Sequence, residues 1–124
     1  MNNIIIFFGA GIGGVLRFWI ANMLYSNLGY KFAYGTLFVN VTGSFLMGVL
    51  FIALLPYLDE LGSHLRALLL IGFLGGYTTF STFSLETIIF FEHGDWIKGL
   101  LNIFISIILC IAFTWFGMII GKKL

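Results

Sequence analysis

The chain has 124 residues, of which 60% are hydrophobic and 9% charged, and its formal net charge is +1. Soluble domains run nearer about 45–50% apolar and about 25% charged, and a domain this small hides only about 60–70% of its unfolded surface. A water-soluble monomer is therefore excluded, as is intrinsic disorder, which needs low hydrophobicity and high net charge. The near-neutral balance supplies no basic field for nucleic acid, and the remaining solvent is the lipid bilayer.

The first long apolar stretch, residues 4–24, carries one charge, Arg17. No basic region precedes it and no small-residue cleavage pattern closes it, so it reads as a retained span rather than a signal peptide. Arg17 is either an end residue that snorkels toward the interface or a charge that draws anions toward a vestibule. Gly9-Ala10-Gly11-Ile12-Gly13-Gly14 satisfies G-x-G-x-x-G, but positions 30–36 hold no acid to grip a ribose, so no dinucleotide site is assigned. Gly9 with Gly13, and later Gly72 with Gly76, have the spacing that lets helix backbones approach closely. Sixteen glycines in all favour tight helix packing, and hence an assembly.

Ser26, Asn27, Gly29 and Lys31 mark the first connection, and the second stretch, residues 33–58, carries no charge. Thr36 and Asn40 stand at i, i+4 within it. An unpaired amide in hydrocarbon is costly, and the Asn40 NH₂ group donates two hydrogen bonds. Pro56, Asp59, Glu60 and Gly62 form the second connection.

The third stretch, residues 67–91, carries one charge, Glu86, and a dense polar segment from 72 to 84. Gly75-Gly76 followed by Thr78-Thr79 predicts a helix break near mid-span. A break frees backbone carbonyls, which must meet donors or a cation. The expectation is thus a bound cation or an irregular turn sealed by a partner helix. Past the break, helical spacing puts Phe80 and Phe83 on one face, pairs Ser81 with Ser84, and sets Thr79 above Thr82. Aromatic rings have electropositive edges. Two such edges beside hydroxyl donors hold a small anion weakly, as a conduit requires. The same spacing equally suits phenylalanines that only pack and hydroxyls that bond back to i−4 carbonyls. No span carries two acids, which argues against a carboxylate proton relay. Glu86 pairs with a hydroxyl or a basic group, or serves a vestibule.

Glu92, His93, Gly94 and Asp95 form the third connection, with Trp96 beside them as an interfacial anchor. His64 and His93 have no helical partner, and Cys110 is alone, so neither a side-chain metal site nor a disulfide framework is expected. The fourth stretch, residues 99–121, is uncharged and sets Asn102 and Ser106 at i, i+4. Amide and hydroxyl donors on three helices suit an anion better than a cation.

A membrane helix needs about 20 mostly apolar residues. The sequence therefore predicts an all-α membrane protein, a single domain over 1–124, with four transmembrane helices at about 4–25, 33–57, 65–91 and 97–121 and the third broken near its middle. The runs lack the alternating polarity of a membrane barrel. Four spans put both termini and the second connection on one side, with Arg66, Lys122 and Lys123; Lys31, Lys98 and Arg17 fall to the other. Orientation follows Lys/Arg bias, so this balance gives almost no instruction about which way to insert. Either other factors settle a weak bias, or both orientations form and an inverted copy pairs with an upright one. That pair would supply between two chains the inverted repeat that many transporters encode in one.

Three segments, 9–17, 35–48 (Gly-Thr-Leu-Phe-Val-Asn-Val-Thr-Gly-Ser-Phe-Leu-Met-Gly) and 72–86 with its Thr-Thr-Phe-Ser-Thr-Phe-Ser core, resemble the Fluc (CrcB) family of fluoride channels. The resemblance covers nearly the whole chain. It implies an antiparallel, dual-topology homodimer in a bacterial cell membrane. Fluoride would pass passively through two antiparallel pores at the interface, lowering intracellular fluoride and its toxicity. By resemblance, Phe80 and Phe83 match the aromatic box that meets fluoride, Asn40 the pore-lining amide and Ser106 a fourth-helix hydroxyl. Ser81, Thr82 and Thr36 join them as candidate pore hydroxyls, and Asn102 stands where some relatives have tyrosine. Gly75 and Thr78 match the helix-break carbonyls that hold a structural, untransported sodium ion shared between subunits. Arg17 matches a family arginine. A competing reading is a small dual-topology exporter of hydrophobic cations, which uses a carboxylate in its first helix; residues 4–24 have none. A non-transporting assembly subunit would leave the polar residues of three helices without a shared task. No nucleophile–base or metal constellation points to an enzyme.

Overall fold

The computed structural model describes residues 1–124. In chain order it comprises α1 (Asn2–Leu28), α2 (Tyr34–Leu54), α3 (Glu60–Leu65), a π-helical segment (Arg66–Leu74), α4 (Gly75–Tyr77), α5 (Phe80–Glu92) and α6 (Trp96–Lys122). Four helices, Asn2–Leu28, Tyr34–Leu54, Glu60–Glu92 and Trp96–Lys122, are long and apolar enough to cross a membrane, with mean hydropathy between 1.4 and 2.6 in their best windows. Lipid offers no hydrogen bonds to the backbone, so a spanning segment must satisfy its own. Of 99 backbone–backbone hydrogen bonds, 85 lie inside the helices, which meets that demand.

The ends follow from local chemistry. Glycine takes the left-handed conformation just past α1, at Gly29 (φ 84°). α2 stops at Leu54, short of position 57, and Arg66 donates to the carbonyls of Leu54 (3.0 Å) and Tyr57 (2.7 Å) there. The third span starts at Glu60 rather than near 65, because the Asp59 carboxylate accepts the Gly62 N–H at 2.9 Å and caps it.

α2 packs along α6, α1 along the π-helical segment and α4, and α5 leans on α6. Glycines set the closest approaches. A Cβ at Gly48 would strike the Thr114 carbonyl, and one at Gly117 the Phe45 carbonyl. Between α1 and the third span, Gly13 lies against the Phe73 carbonyl and Gly76 against that of Ala10. These are small-residue contacts that let backbones meet. Only 22 of 124 residues are buried. The fully enclosed apolar cluster is Val39, Leu74 and Tyr77, while Phe7, Phe18, Trp19, Ile108 and Trp115 face outward. That surface suits lipid, not water.

The break falls at Thr78-Thr79, just past Gly75-Gly76. Both glycines are helical, and the chain becomes extended at Thr78 (φ −88°, ψ 159°) and Thr79 (φ −152°, ψ 121°). Gly76 is small because α1 presses on it, not because the helix ends there. The β-branched threonines favour extended backbone, and the Thr79 hydroxyl accepts the Thr82 N–H at 3.1 Å to cap α5.

Candidate functional site: a polar groove beside the helix break

Asn40 reaches across from α2 and holds both backbone groups of one extended residue. Its Oδ1 accepts the Thr79 N–H (2.8 Å) and its Nδ2 donates to the Thr79 carbonyl (2.9 Å). Arg17 turns inward and donates through Nε to the Gly76 carbonyl at 3.1 Å, instead of running out to an interface. Tyr77 shares a hydrogen bond with Thr42 (2.9 Å), and the Thr78 hydroxyl donates back to the Leu74 carbonyl (2.9 Å).

The break leaves backbone carbonyls without their helical donors. In an unbroken α-helix the Thr79 N–H would bond the Gly75 carbonyl, and the Thr82 N–H that of Thr78. Asn40 Oδ1 takes the first N–H and Thr79 Oγ1 the second. The Gly75 and Thr78 carbonyls thus lose their helical donors. Gly75 is exposed, with the nearest atom to a Cβ there 3.9 Å away. Backbone oxygens near a helix C-terminus, where the dipole is negative, are of the kind that a hard cation takes as ligands.

Beside the break a groove of about 370 Å³ opens between α2, α5 and α6. Asn40, Gly43, Ser44 and Met47 line it from α2, Thr78 and Thr79 from the break, Phe80 and Phe83 from α5, and Ser106, Ile107, Cys110, Ile111 and Thr114 from α6. The Phe80 and Phe83 rings are tilted at 47° with centroids 5.2 Å apart. Phe80 is 75% exposed and Phe83 only 8%. No acidic or basic side chain lines the groove. The N-terminus of α5, the positive end of its dipole, begins at Phe80 beside it.

The groove brings together Asn40, Phe80, Phe83 and Ser106. Ser81 and Thr82 lie just outside its lining, with hydroxyls 3.3 and 3.2 Å from Thr79 Oγ1. Thr36 and Glu86 belong to a separate cluster with Tyr25. The Tyr25 hydroxyl donates to Glu86 Oε2, lies 3.3 Å from Thr36 Oγ1, and accepts the Thr36 N–H at 3.4 Å. Asn102 is buried between α5 and α6, where its Nδ2 donates to Thr87 Oγ1 at 2.9 Å and its Oδ1 lies 3.4 Å from Ser106 Oγ.

Sequence reasoning passed over Tyr25, Thr87, Ser44 and Thr114. Helical spacing held a signal for three of them. Ser44 is four residues past Asn40, Thr114 eight past Ser106, and Thr87 four past Phe83. Tyr25, near the end of α1, has no such signal, since its partners lie 11 and 61 residues away.

Residues 4–118 match the family of CrcB-like proteins (Camphor Resistance, CrcB). The chain is 51% identical over 124 residues to a Coxiella burnetii protein called fluoride-specific ion channel FluC, with all of both chains covered. A Methylococcus capsulatus protein of the same name is 48% identical over 116 residues, which is 94% of this chain and 50% of that protein. Another, from Shewanella baltica, is 42% identical over 118 residues, 94% of each chain.

Proposed function

The chain belongs to the CrcB family of multi-pass bacterial membrane proteins, and from that premise we propose that it is a fluoride-specific passive ion channel working as an antiparallel, dual-topology homodimer. The observation that carries this reading is the groove, which gathers an amide, hydroxyls and two phenylalanines with no acid among them. Fluoride is small and strongly hydrated, so a path for it must offer donors in place of water. Asn40 spends one N–H on the Thr79 carbonyl and keeps the second for an anion. Ser106 contributes a hydroxyl, and the Phe80 and Phe83 ring edges add a weak positive field. Neutral donors bind loosely enough to let an ion leave, which conduction requires.

A second copy accounts for what one chain leaves open. The groove is unroofed and Phe80 stands 75% exposed at its edge. An inverted copy would close two such grooves into two antiparallel pores. The charge balance supports insertion both ways. With Arg17 turned into the bundle, Arg66, Lys122 and Lys123 oppose only Lys31 and Lys98, a bias of one. The Gly75 and Thr78 carbonyls would hold a structural sodium ion between the copies. Bound there, sodium supplies the positive charge that those oxygens lack. Asn40 and Thr79 act earlier, by drawing off the N–H groups that would otherwise occupy the two carbonyls.

Purified chain in liposomes tests the reading by ion efflux. Fluoride should leave rapidly while chloride stays. Retention of both ions, or equal release of both, would overturn it.

A further inference from the structure

We propose that Thr87 and Asn102 are positioning residues for the fluoride path, setting the direction of the Ser106 hydroxyl and fixing the backbone of Phe83. The inference rests on the channel reading above. A carbonyl can only accept, so the Phe83 oxygen takes the Thr87 hydroxyl proton, at 2.8 Å. A hydroxyl has one proton. Thr87 Oγ1 therefore offers Asn102 only lone pairs, and the Asn102 amide must present Nδ2, at 2.9 Å. That turns Oδ1 toward Ser106, and an amide oxygen also only accepts, so Ser106 is the donor of the last pair, at 3.4 Å. Donation runs from Ser106 to Asn102 to Thr87 to Phe83, and one backbone carbonyl dictates the whole order.

Asn102 is 1% exposed and Thr87 5%. Links in such a setting are held firmly, because a buried polar group left unpaired costs its full desolvation. Of the three side chains only Ser106 lines the groove. Its bond is also the longest, beyond the usual O–H···O range of about 2.5–3.0 Å, and so breaks at least cost. Without an anion, the Ser106 proton turns toward Asn102. An arriving anion draws that proton over to itself. Asn102 thereby sets the cost of each donation, and Thr87 keeps Asn102 in the orientation that does so. The same hydroxyl bonds the Phe83 carbonyl, and burial makes Phe83 the fixed ring of the pair beside the exposed Phe80.

Full-length protein in vesicles tests this with Thr87→Val, which keeps the shape and removes the hydroxyl, and Thr87→Ser, which restores it. Thr87→Val should lower fluoride efflux about tenfold or more, the scale of one stranded buried polar group, while eluting at the native assembly size. Thr87→Ser should stay within about twofold of the native rate. Equal efflux from Thr87→Val and native protein, or equal losses in both variants, would overturn the inference. A second measurement needs no variant to fold. In protein labelled with ¹⁵N-asparagine, the Asn102 side-chain signal should shift with added sodium fluoride and not with sodium chloride, although Asn102 lies outside the groove. A signal indifferent to fluoride would also overturn it. Native vesicles that release no fluoride end the channel reading itself, whereas conducting native vesicles with an indifferent Thr87→Val end this inference alone.

Discussion

The two halves of the third span differ in what they hold and what they expose. Ahead of the break, the π-helical segment and α4 are pressed backbone to backbone on α1, and Leu74 and Tyr77 are buried. Beyond it, α5 leans on α6 and turns Phe80 outward. The polar groups differ in sign as well. The end of α4 presents carbonyl oxygens, while the start of α5 presents N–H groups and hydroxyls. A break of two residues thus puts a negative helix end and a positive helix end side by side. One half packs on α1 and the other on α6, and Asn40 holds Thr79 between them.

The largest expected effect breaks the packing on α1. Gly76→Ala would drive a methyl into the Ala10 backbone, which cannot yield as a flexible side chain would. Overpacking of this kind costs about 3 kcal/mol at the top of its usual range. The variant should lose assembly as well as flux, measured by elution and thermal unfolding. A native-like Gly76→Ala protein would show that the fold does not depend on this packing.

Next comes the half beyond the break. Phe80→Ile should slow fluoride efflux by about tenfold or more, since an aliphatic chain has no electropositive ring edge, and leave the fold of each chain untouched, because Phe80 is exposed within it. Normal efflux in this variant would remove Phe80 from the path. Taken together, the two substitutions separate the roles: one should destroy the fold and its flux, the other the flux alone.

How far the sequence reaches differs between these halves too. The four spans are legible because hydropathy needs no tertiary information. The break is legible because Gly75-Gly76 and Thr78-Thr79 advertise it jointly; only the press of α1 on Gly76 tells which pair does the breaking. The π-helical turns from Arg66 to Leu74 carry no local signature. Asn40, Phe80, Phe83 and Ser106 are legible as polar or aromatic residues at helical spacing in oil. The Tyr25–Glu86 pair is not, because it joins α1 to α5 across 61 residues. Arg17 is visible as a charge in a span, but its partner is a backbone carbonyl, which sequence never distinguishes from its neighbours.

A smaller effect is expected from the cation. Replacing sodium with a bulky organic cation during purification should weaken the dimer and lower efflux severalfold without unfolding the four helices, as monitored by dilution in detergent and by helical circular dichroism. Indifference to sodium would leave the Gly75 and Thr78 carbonyls without the proposed ligand.

The smallest effect on the fold is the most informative about the missing surface. Gly75 is the neighbour of Gly76, yet a Cβ there meets nothing closer than 3.9 Å. Within one chain, Gly75→Ala should be tolerated, and the helical preference of alanine would stabilise it by at most about 1 kcal/mol. Two adjacent glycines should therefore answer oppositely to the same methyl group, since one faces α1 and the other faces out. If an inverted copy meets this chain at the break, the added methyl lies between the copies. The loss should then appear only in dimer dissociation on dilution, while thermal unfolding of separated chains stays as in the native protein. A dimer that holds equally well with alanine at 75 would place the meeting surface elsewhere on the molecule.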